Sequence, residues 1–507
     1  MPVERQTARK ATFNYFIDAL VMLFGIVSLV VVKRYMGYEV LGMLAYATAY
    51  VGLFQIISDM GLGIAHNKYA NDKDFDFAKC NGTLIFLKFF LNISMVLIVL
   101  LSIVISKYFF DSPFGSSMLV IIVLLTLVRA FVENCTKIFK NINASKLLVA
   151  KNQIPRLTGR LFQMLMKCSI AIAGTYSAAY LVGAEIVTAV IILITILYIS
   201  RSTPVARPSW RYITSFTKFG GLVVIIGLIS TINHYIDRIM VETFLGIEEV
   251  GVYFLAFTMS NPLRVVAQVL LSILFVTFAD YYSNGKMEKI NKMANTAVKY
   301  ISLITLPVVG LLLPFSRDLL ILLFGDDAYR SVAVFQILLF AVFVYNITVP
   351  YSAQIISTGK LKIAFGISVF SLLAKVALNL VLIPDEIYGI RLLGFGVLGA
   401  AIATLIVACF RFVLCKYYVF LITRTRIYGR LWVHVFSNLT ASLLVYNLLE
   451  ILSYKLYYLP FFFLAYLGVW LIINLVWKEV KIKDIKLVVD TFSLKKMVSY
   501  VNSELRT

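Results

Sequence analysis

The chain has 507 residues, of which 61% are hydrophobic and 14% charged, and it carries a formal net charge of +21. A soluble domain has about 25% charged residues, so the composition excludes a soluble enzyme. It also excludes a soluble nucleic-acid-binding protein, because the basic excess lies in short connections between apolar runs rather than in one patch. Those runs recur along the whole chain at about 20 residues, enough to cross a hydrocarbon core about 30 Å thick. The expected fold class is all-α integral membrane.

The amino terminus places Arg5, Arg9 and Lys10 ahead of an apolar run over 11–32. That run is longer than the apolar core of a signal peptide, about 7–15 residues, and lacks a small-residue cleavage pattern, so it reads as the first span. Further spans are expected at 41–65, 82–106, 117–138, 154–175 and 178–200, then at 214–242, 250–280, 294–316, 329–357, 361–383 and 393–422. A last pair falls at 431–452 and 458–477. The total of about fourteen divides into an N-terminal lobe over 1–200 (helices 1–6), a linker over 201–220 containing Pro204 and Pro208, and a C-terminal lobe over 214–422 (helices 7–12). The additional pair covers 431–477, and a basic tail over 478–507 places Ile482, Ile485, Val488, Val489 and Phe492 at the spacing of an amphipathic helix on the membrane surface.

Alternate connections are rich in Lys and Arg: Lys68, Lys73 and Lys79, then Lys137 to Lys151, Arg201 to Lys218, Lys286 to Lys299, Lys360 and Lys362, and Lys416 to Arg430. The opposite side has only Lys33, Arg34, Lys107, Arg317, Arg330, Arg391 and Lys455. The positive-inside rule then puts both termini in the cytoplasm and makes the number of spans even. The outward loops are too short to hold a catalytic domain. An internal repeat fits this count: "MGYEVLGMLAYA" (Met36 to Ala47) aligns without gaps to "LGIEEVGVYFLA" (Leu245 to Ala256), 209 residues later. Both copies join the first two helices of their half and face outward. Two six-helix lobes related by a pseudo-twofold along the membrane normal, around a central cavity, are therefore expected.

The five cysteines (Cys80, Cys135, Cys168, Cys409, Cys415) contain no C-x-x-C pair and read as reduced core residues, and His66, His234 and His434 are too scattered for a metal site. No metal or cofactor is expected.

Charge inside the spans is the chemical signal. Lys88, Arg129, Arg156, Arg160, Lys167, Arg238, Arg264, Lys375 and Arg411 all fall within apolar runs, where a charge must be paired, snorkel to the surface or face water. Lys88 and Arg156 lie within about two turns of the cytoplasmic edge and can snorkel, and Arg129 has Glu133 four residues on. Asp237 and Arg238 lie near the outer edge, as a gate or an anchor. Arg156, Arg160, Gln163 and Lys167 form one helical stripe, and like charges four apart repel unless water or an anion separates them. Lys375 sits one turn before Asn379. Arg264 lies about 14 residues, or about 21 Å, along its helix from the outer end, just after Asn261-Pro262, whose ring breaks a backbone hydrogen bond. Two readings stay open: a shared cationic cavity, built from Arg264, Lys375, Arg160, Lys167, Arg156 and Lys88, or structural pairing with Asp18, Asp59, Glu133 or Glu185. Asp18, four residues after Asn14, either carries a coupling proton or sodium ion or pairs with an arginine.

Three segments carry a family resemblance. "YIDRIMVETFLGIEEVGVYFLA" (Tyr235 to Ala256) resembles the seventh-to-eighth helix signature of polysaccharide flippases, within the multidrug/oligosaccharidyl-lipid/polysaccharide (MOP) exporter superfamily. "KVALNLVLIPDEIYGIRLLGFGVLGAAIATLI" (Lys375 to Ile406) is similar to their G-x-x-G-A-A-x-A-T stretch, and "SDMGLGIAHNKYA" (Ser58 to Ala70) to their segment at the end of helix two. The outward loop at Asp385-Glu386 is longer than is usual there. The resemblance implies a non-enzymatic transporter of the cell (plasma or inner) membrane that flips a polyprenyl-(pyro)phosphate-linked oligosaccharide from the inner to the outer leaflet by alternating access. Membrane lipids and glycan polymerases or glycosyltransferases would be its partners, with coupling to a proton or sodium gradient. No G-x-x-x-x-G-K-[ST] segment is present for ATP. Two alternatives remain: a cation-coupled small-molecule exporter of the same superfamily, which would call for an acidic vestibule, and a membrane glycosyltransferase or ligase, for which Asp326-Asp327 and Asp385-Glu386 are the acidic candidates.

Overall fold

The computed structural model describes residues 3–109, 116–174, 177–451 and 459–479. They are helical almost throughout, as hydrocarbon demands of a chain that must satisfy its own backbone. In order the helices are α1 (Val3–Asp59), α2 (Leu62–Tyr69), α3 (Phe77–Phe109), α4 (Ser117–Ser145), α5 (Val149–Ile172), α6 (Ala178–Ile199), α7 (Trp210–Leu245), α8 (Ile247–Ser260), α9 (Arg264–Ser283), α10 (Met287–Phe324), α11 (Val332–Ser357), α12 (Leu361–Leu382), α13 (Gly396–Thr423), α14 (Leu431–Ile451) and α15 (Leu459–Val476). Between α12 and α13 a hairpin pairs β1 (Glu386–Ile387) with β2 (Ile390–Arg391). The described residues of the expected spans are helical save for a few at their ends, with 41–65 divided between α1 and α2 and 250–280 between α8 and α9. Among the described residues eight helical stretches are long and apolar enough to cross a membrane, and the first of them, Phe16–Tyr69, takes in two expected spans.

Glycine sets the sharp joints. α1 runs through both of its spans with only Gly37 out of helical geometry, at φ 78° and ψ −174°. Gly246, its repeat partner, ends α7 at φ 93° and ψ 175°. This region is open essentially to glycine alone, so the two copies of the repeat share a backbone conformation as well as a sequence. Gly325 ends α10 in the same way, at φ 95° and ψ 171°. Serines open other helices: Ser116 accepts the amide of Leu119 and caps α4.

One compact unit runs through Gly251 and the other begins at Val252. In the first, α4 packs along α6, α5 along α6, and α1 against α3, α4, α5 and α7. In the second, α11 packs along α13, α12 along α13, α10 against α9, α11 and α14, and α14 against α15. The pairing of fourth with sixth and fifth with sixth spans in the first half thus recurs as tenth with twelfth and eleventh with twelfth. This repeat in packing is independent of the sequence alignment.

The division falls later than the expected lobe boundary at 201–220, because α7 packs on α1, α2 and α3. Only Arg201–Ser209 of that linker lies outside helix, and it is strapped down rather than free. The Ala206 amide donates to Ala78 O at 3.0 Å, and Asn81 Nδ2 donates to Pro204 O at 2.8 Å. Most of the expected tail, from residue 480 on, lies outside the described residues.

Within the first unit the two repeat copies touch reciprocally. A β-carbon on Gly42 would lie 1.9 Å from Ile247 O, and one on Gly251 would lie 2.2 Å from Tyr38 O. Tyr38 and Ile247 are themselves repeat partners, so the contact obeys the twofold that the alignment implies. Gly42→Val must push backbone from backbone and is expected to cost about 2 kcal/mol, as overpacking does. Thermal unfolding in detergent checks this: the midpoint falls for Gly42→Val and Gly251→Val, but not for Gly183→Ala, which has nothing within 4 Å of the added carbon.

Candidate functional site

The basic stripe of α5 faces a set of partners supplied by its neighbours. Arg156 pairs with Asp18 on α1. The second oxygen of Asp18 accepts from Asn14 Nδ2 at 3.2 Å, and Gln153 closes the ring by donating to Asn14 and accepting from Arg156. Both carboxylate oxygens of Asp18 are therefore engaged. Arg160 donates to Gln163 Oε1 at 2.8 Å. Lys167 pairs with Glu185 on α6, and Arg129 of α4 pairs with the other oxygen of the same carboxylate. Glu133 lies 3.9 Å from Arg129 and adds a second negative charge. Lys88 of α3, almost wholly buried, pairs with Asp59 at the end of α1. The structure thus brings Arg156, Lys167, Lys88 and Arg129 each to a carboxylate, the structural pairing that the sequence left open. Asp237 and Arg238 are both buried near the end of α7.

Arg264, in the second unit, is set differently. Asn261, Pro262 and Leu263 form one turn of 3-10 helix between α8 and α9, and Arg264 follows at once. The Leu263 carbonyl accepts Asn346 Nδ2 at 2.7 Å, and the same amide reaches Thr305 Oγ1 at 3.3 Å. Asn346 of α11, fully buried, thus steadies the bend. The guanidinium of Arg264 lies 5.5 Å from the Phe257 ring centroid and 4.9 Å from that of Tyr345. Its Nε is buried without a hydrogen-bond partner, and no carboxylate pairs with it among the described residues. Aromatic faces stabilise a cation electrostatically and leave its N–H groups available. Lys375 and Asn379 are both buried on α12, one turn apart.

A third cluster was not foreseen in the sequence. Glu479, just past α15 and almost fully buried, accepts from Tyr428 and Arg430, the latter at 3.1 Å, and lies 3.4 Å from Lys299 Nζ and from His434 Nε2. The other nitrogen of His434 is 2.6 Å from Ser302 Oγ. Ser, His and Glu in line suggest acyl-transfer chemistry, but all three are buried at 0 or 1% exposure, so the row reads as a clasp fixing α14 and α15 to α10. Gly310 completes the clasp at the other end, where its carbonyl accepts Ser442 Oγ at 2.8 Å.

Among the described residues no cluster of His, Cys, Asp or Glu could hold a metal. The five cysteines are free thiols. Asp326 and Asp327 lie in a 3-10 turn, and Asp385 and Glu386 at the base of the hairpin.

This architecture has relatives. The model of a family described as "Polysaccharide biosynthesis protein" matches residues 31–333, more than half of the chain. The chain belongs to that family of multi-pass membrane proteins. A curated relative, the probable low-salt glycan biosynthesis flippase Agl15 of Haloferax volcanii, is 22% identical over 203 residues, and the match spans 40% of this chain and 41% of that relative. Among solved structures, the lipid II flippase MurJ in an inward closed conformation aligns with a TM-score of 0.69 at 14% identity, over 92% of this chain and 98% of that one. An inward-facing multidrug resistance MATE family transporter of the MOP superfamily aligns with a TM-score of 0.67 at 14% identity, over 82% of this chain and 99% of that one. At such identities these two establish the fold, that of MOP-superfamily transporters.

Two outcomes follow from the pairing. Glu185→Ala strands Lys167 in a buried site and leaves Arg129 only the more distant Glu133, which is expected to cost about 3–5 kcal/mol, whereas Arg160→Gln costs well under half of that; urea or thermal unfolding in detergent separates them. For Glu479, burial opposes ionisation, but the hydrogen bonds from Tyr428 and Arg430 and the charges of Lys299 and His434 outweigh it and hold the carboxyl below its usual range. A depressed carboxyl contributes its stability in full above its unfolded value, about 4.3, and loses it as pH falls through the lower folded value. Thermal midpoints of the wild type should therefore fall with acidification below about pH 4 more steeply than those of Glu479→Gln.

Proposed function

We propose that this protein moves a lipid-linked oligosaccharide with an anionic phosphate or diphosphate head across the membrane, from the inner to the outer leaflet. One observation, made of the described residues, carries the reading. Arg264 sits in the segment expected as the eighth span, with two aromatic faces and, among the described residues, no carboxylate paired with it, so that none of them neutralises its positive charge. A charge so placed is costly unless water or an anion meets it. Its planar fork matches the paired oxygens of a phosphate. The family match, the curated relative's name and the fold support the same reading.

In this reading the protein acts by alternating access and without covalent chemistry, and Lys375 gives a second positive charge on the route. The ion pairs of the first half keep that half's charges fixed while the head group passes. The prenyl chain stays in lipid, so only the polar head crosses. Coupling is to a proton or sodium gradient, the chain works in the cell membrane with both termini cytoplasmic, and it hands its cargo to a polymerase or glycosyltransferase. A cation-coupled drug exporter shares the fold, but its cargo is repelled by Arg264.

Reconstitution with a fluorescent lipid-linked oligosaccharide, under imposed proton and sodium gradients, tests this. Arg264→Ala is expected to insert and unfold like the wild type yet lose at least about tenfold in transfer rate, as loss of a charged contact of about 1.5–3 kcal/mol implies, with Arg264→Lys intermediate. Normal transfer by both Arg264→Ala and Lys375→Ala would overturn the assignment. Clear drug resistance conferred on cells would favour the exporter.

A further inference from the structure

The hairpin between α12 and α13 has no role in the site described above, and its chemistry is specific. It is built rather than loose. The amides of Leu392, Leu393, Gly394, Phe395 and Gly396 donate to the carbonyls of Asp385, Val381, Pro384, Leu382 and Ile383, which pins the hairpin's base onto the last turn of α12. Gly394, at φ 61°, is held so close that an added β-carbon would meet Asp385 Oδ1 at 2.0 Å.

The register pairs Glu386 with Arg391 and Ile387 with Ile390. Side chains on opposed strands alternate between the two faces, so one face is charged and the other apolar. The turn is Tyr388-Gly389, at φ 51° and 82°. Positive φ at both positions defines a type I′ turn, where Asn, Asp or Gly is strongly preferred at the first position. A tyrosine there is strained by about 1–2 kcal/mol, and its side chain is 101% exposed, so nothing within the chain compensates. Such strain points to a use outside the fold.

The apolar surface continues from the hairpin into the spanning helices. Ile390 is 66% exposed, Leu393 55% and Phe395 47%, and beside them on α12 and α13 lie the exposed Leu380, Val381 and Leu398. Leu393 and Phe395 are bonded directly to residues of the last turn of α12. They therefore stand at the level where that helix leaves the hydrocarbon. Tyrosine is the residue favoured at the depth of lipid head groups, and an element with one charged and one apolar face lies flat at that boundary.

We propose that residues 385–395 form an interfacial anchor, with Ile387, Tyr388 and Ile390 seated on the lipid surface opposite the basic loops and Glu386 and Arg391 turned to water. The anchor holds the ends of α12 and α13 at a fixed depth.

The test is site-directed spin labelling of the full chain in lipid nanodiscs. Cys135, Cys168 and Cys409 are replaced by Ala, and the buried Cys80 and Cys415 are kept. A label at Tyr388→Cys should collide with dissolved oxygen at least about twofold more, relative to a water-soluble nickel chelate, than a label at the exposed Asp74→Cys; a label at Leu373→Cys supplies the lipid reference. Adding Ile390→Ser should shift the Tyr388 label toward the water value. A label at 388 as open to nickel as that at 74 would overturn the proposal, as would a depth unchanged by Ile390→Ser. Shielding from both reagents in native membranes but from neither in nanodiscs would assign the surface to a protein partner instead. Circular dichroism and the wild-type elution volume confirm that each variant folds. Loss of glycan transfer by Arg264→Ala is a separate readout, so either conclusion can fail without the other.

Discussion

A charge in hydrocarbon needs a counter-charge, a polarisable face or water, and this requirement organises the chain. In the first unit it is met by carboxylates: Asp18, Asp59 and Glu185 each hold a cation contributed by a different helix. Pairs of this kind are weak sources of stability, because desolvation cancels most of the attraction. They are strong sources of register, since an unpaired member is intolerable. The stripe of α5 therefore fixes how that helix is rotated against α1 and α6. In the second unit Arg264 is met by rings instead, which support the charge without neutralising it. The same residue chemistry thus has a structural use in one unit and a proposed recognition use in the other.

The repeat gives this contrast its setting. The two halves of the sequence share helix order, glycine joints and packing partners, yet their buried polar chemistry has diverged. Backbone conformation is held by Gly37 and Gly246 through sterics that no other residue satisfies. Side chains along the spans are under no such constraint. A duplicated scaffold can keep its joints and specialise its linings.

Much of this was legible in the sequence, for identifiable reasons. Spans were readable because hydrocarbon thickness sets their length, and the repeat because glycine at Gly37, Gly42, Gly246 and Gly251 is sterically obligatory. The carboxylates Asp18, Asp59, Glu133 and Glu185 were readable as the possible partners, since few acids lie within spans. Only the approach of Arg129 to Glu133, four residues apart, was readable as a pair; the pairs between helices were not, since Arg156 and Asp18 are 138 positions apart, and spacing within one helix says nothing across that separation. Gln153 and Asn346 were missed because amides occur too often to stand out, although Asn346 lies in an otherwise apolar run. Glu479 was missed because it follows the last span and reads as a solvated residue. The packing of α7 on α1, α2 and α3 was not readable, because a proline-rich linker carries no sign that Arg201–Ser209 is bonded to α3. The hairpin registered only as an unusually long loop, because two-residue strands carry no periodic signal.

The continuous course of α1 across Gly37 bears on how the polypeptide is made. Its first two crossings come off the ribosome joined by a single non-helical residue, with no polar loop to be threaded across on its own. Such a pair favours entry into the bilayer as one preassembled unit, the backbone of the bend never standing alone in lipid.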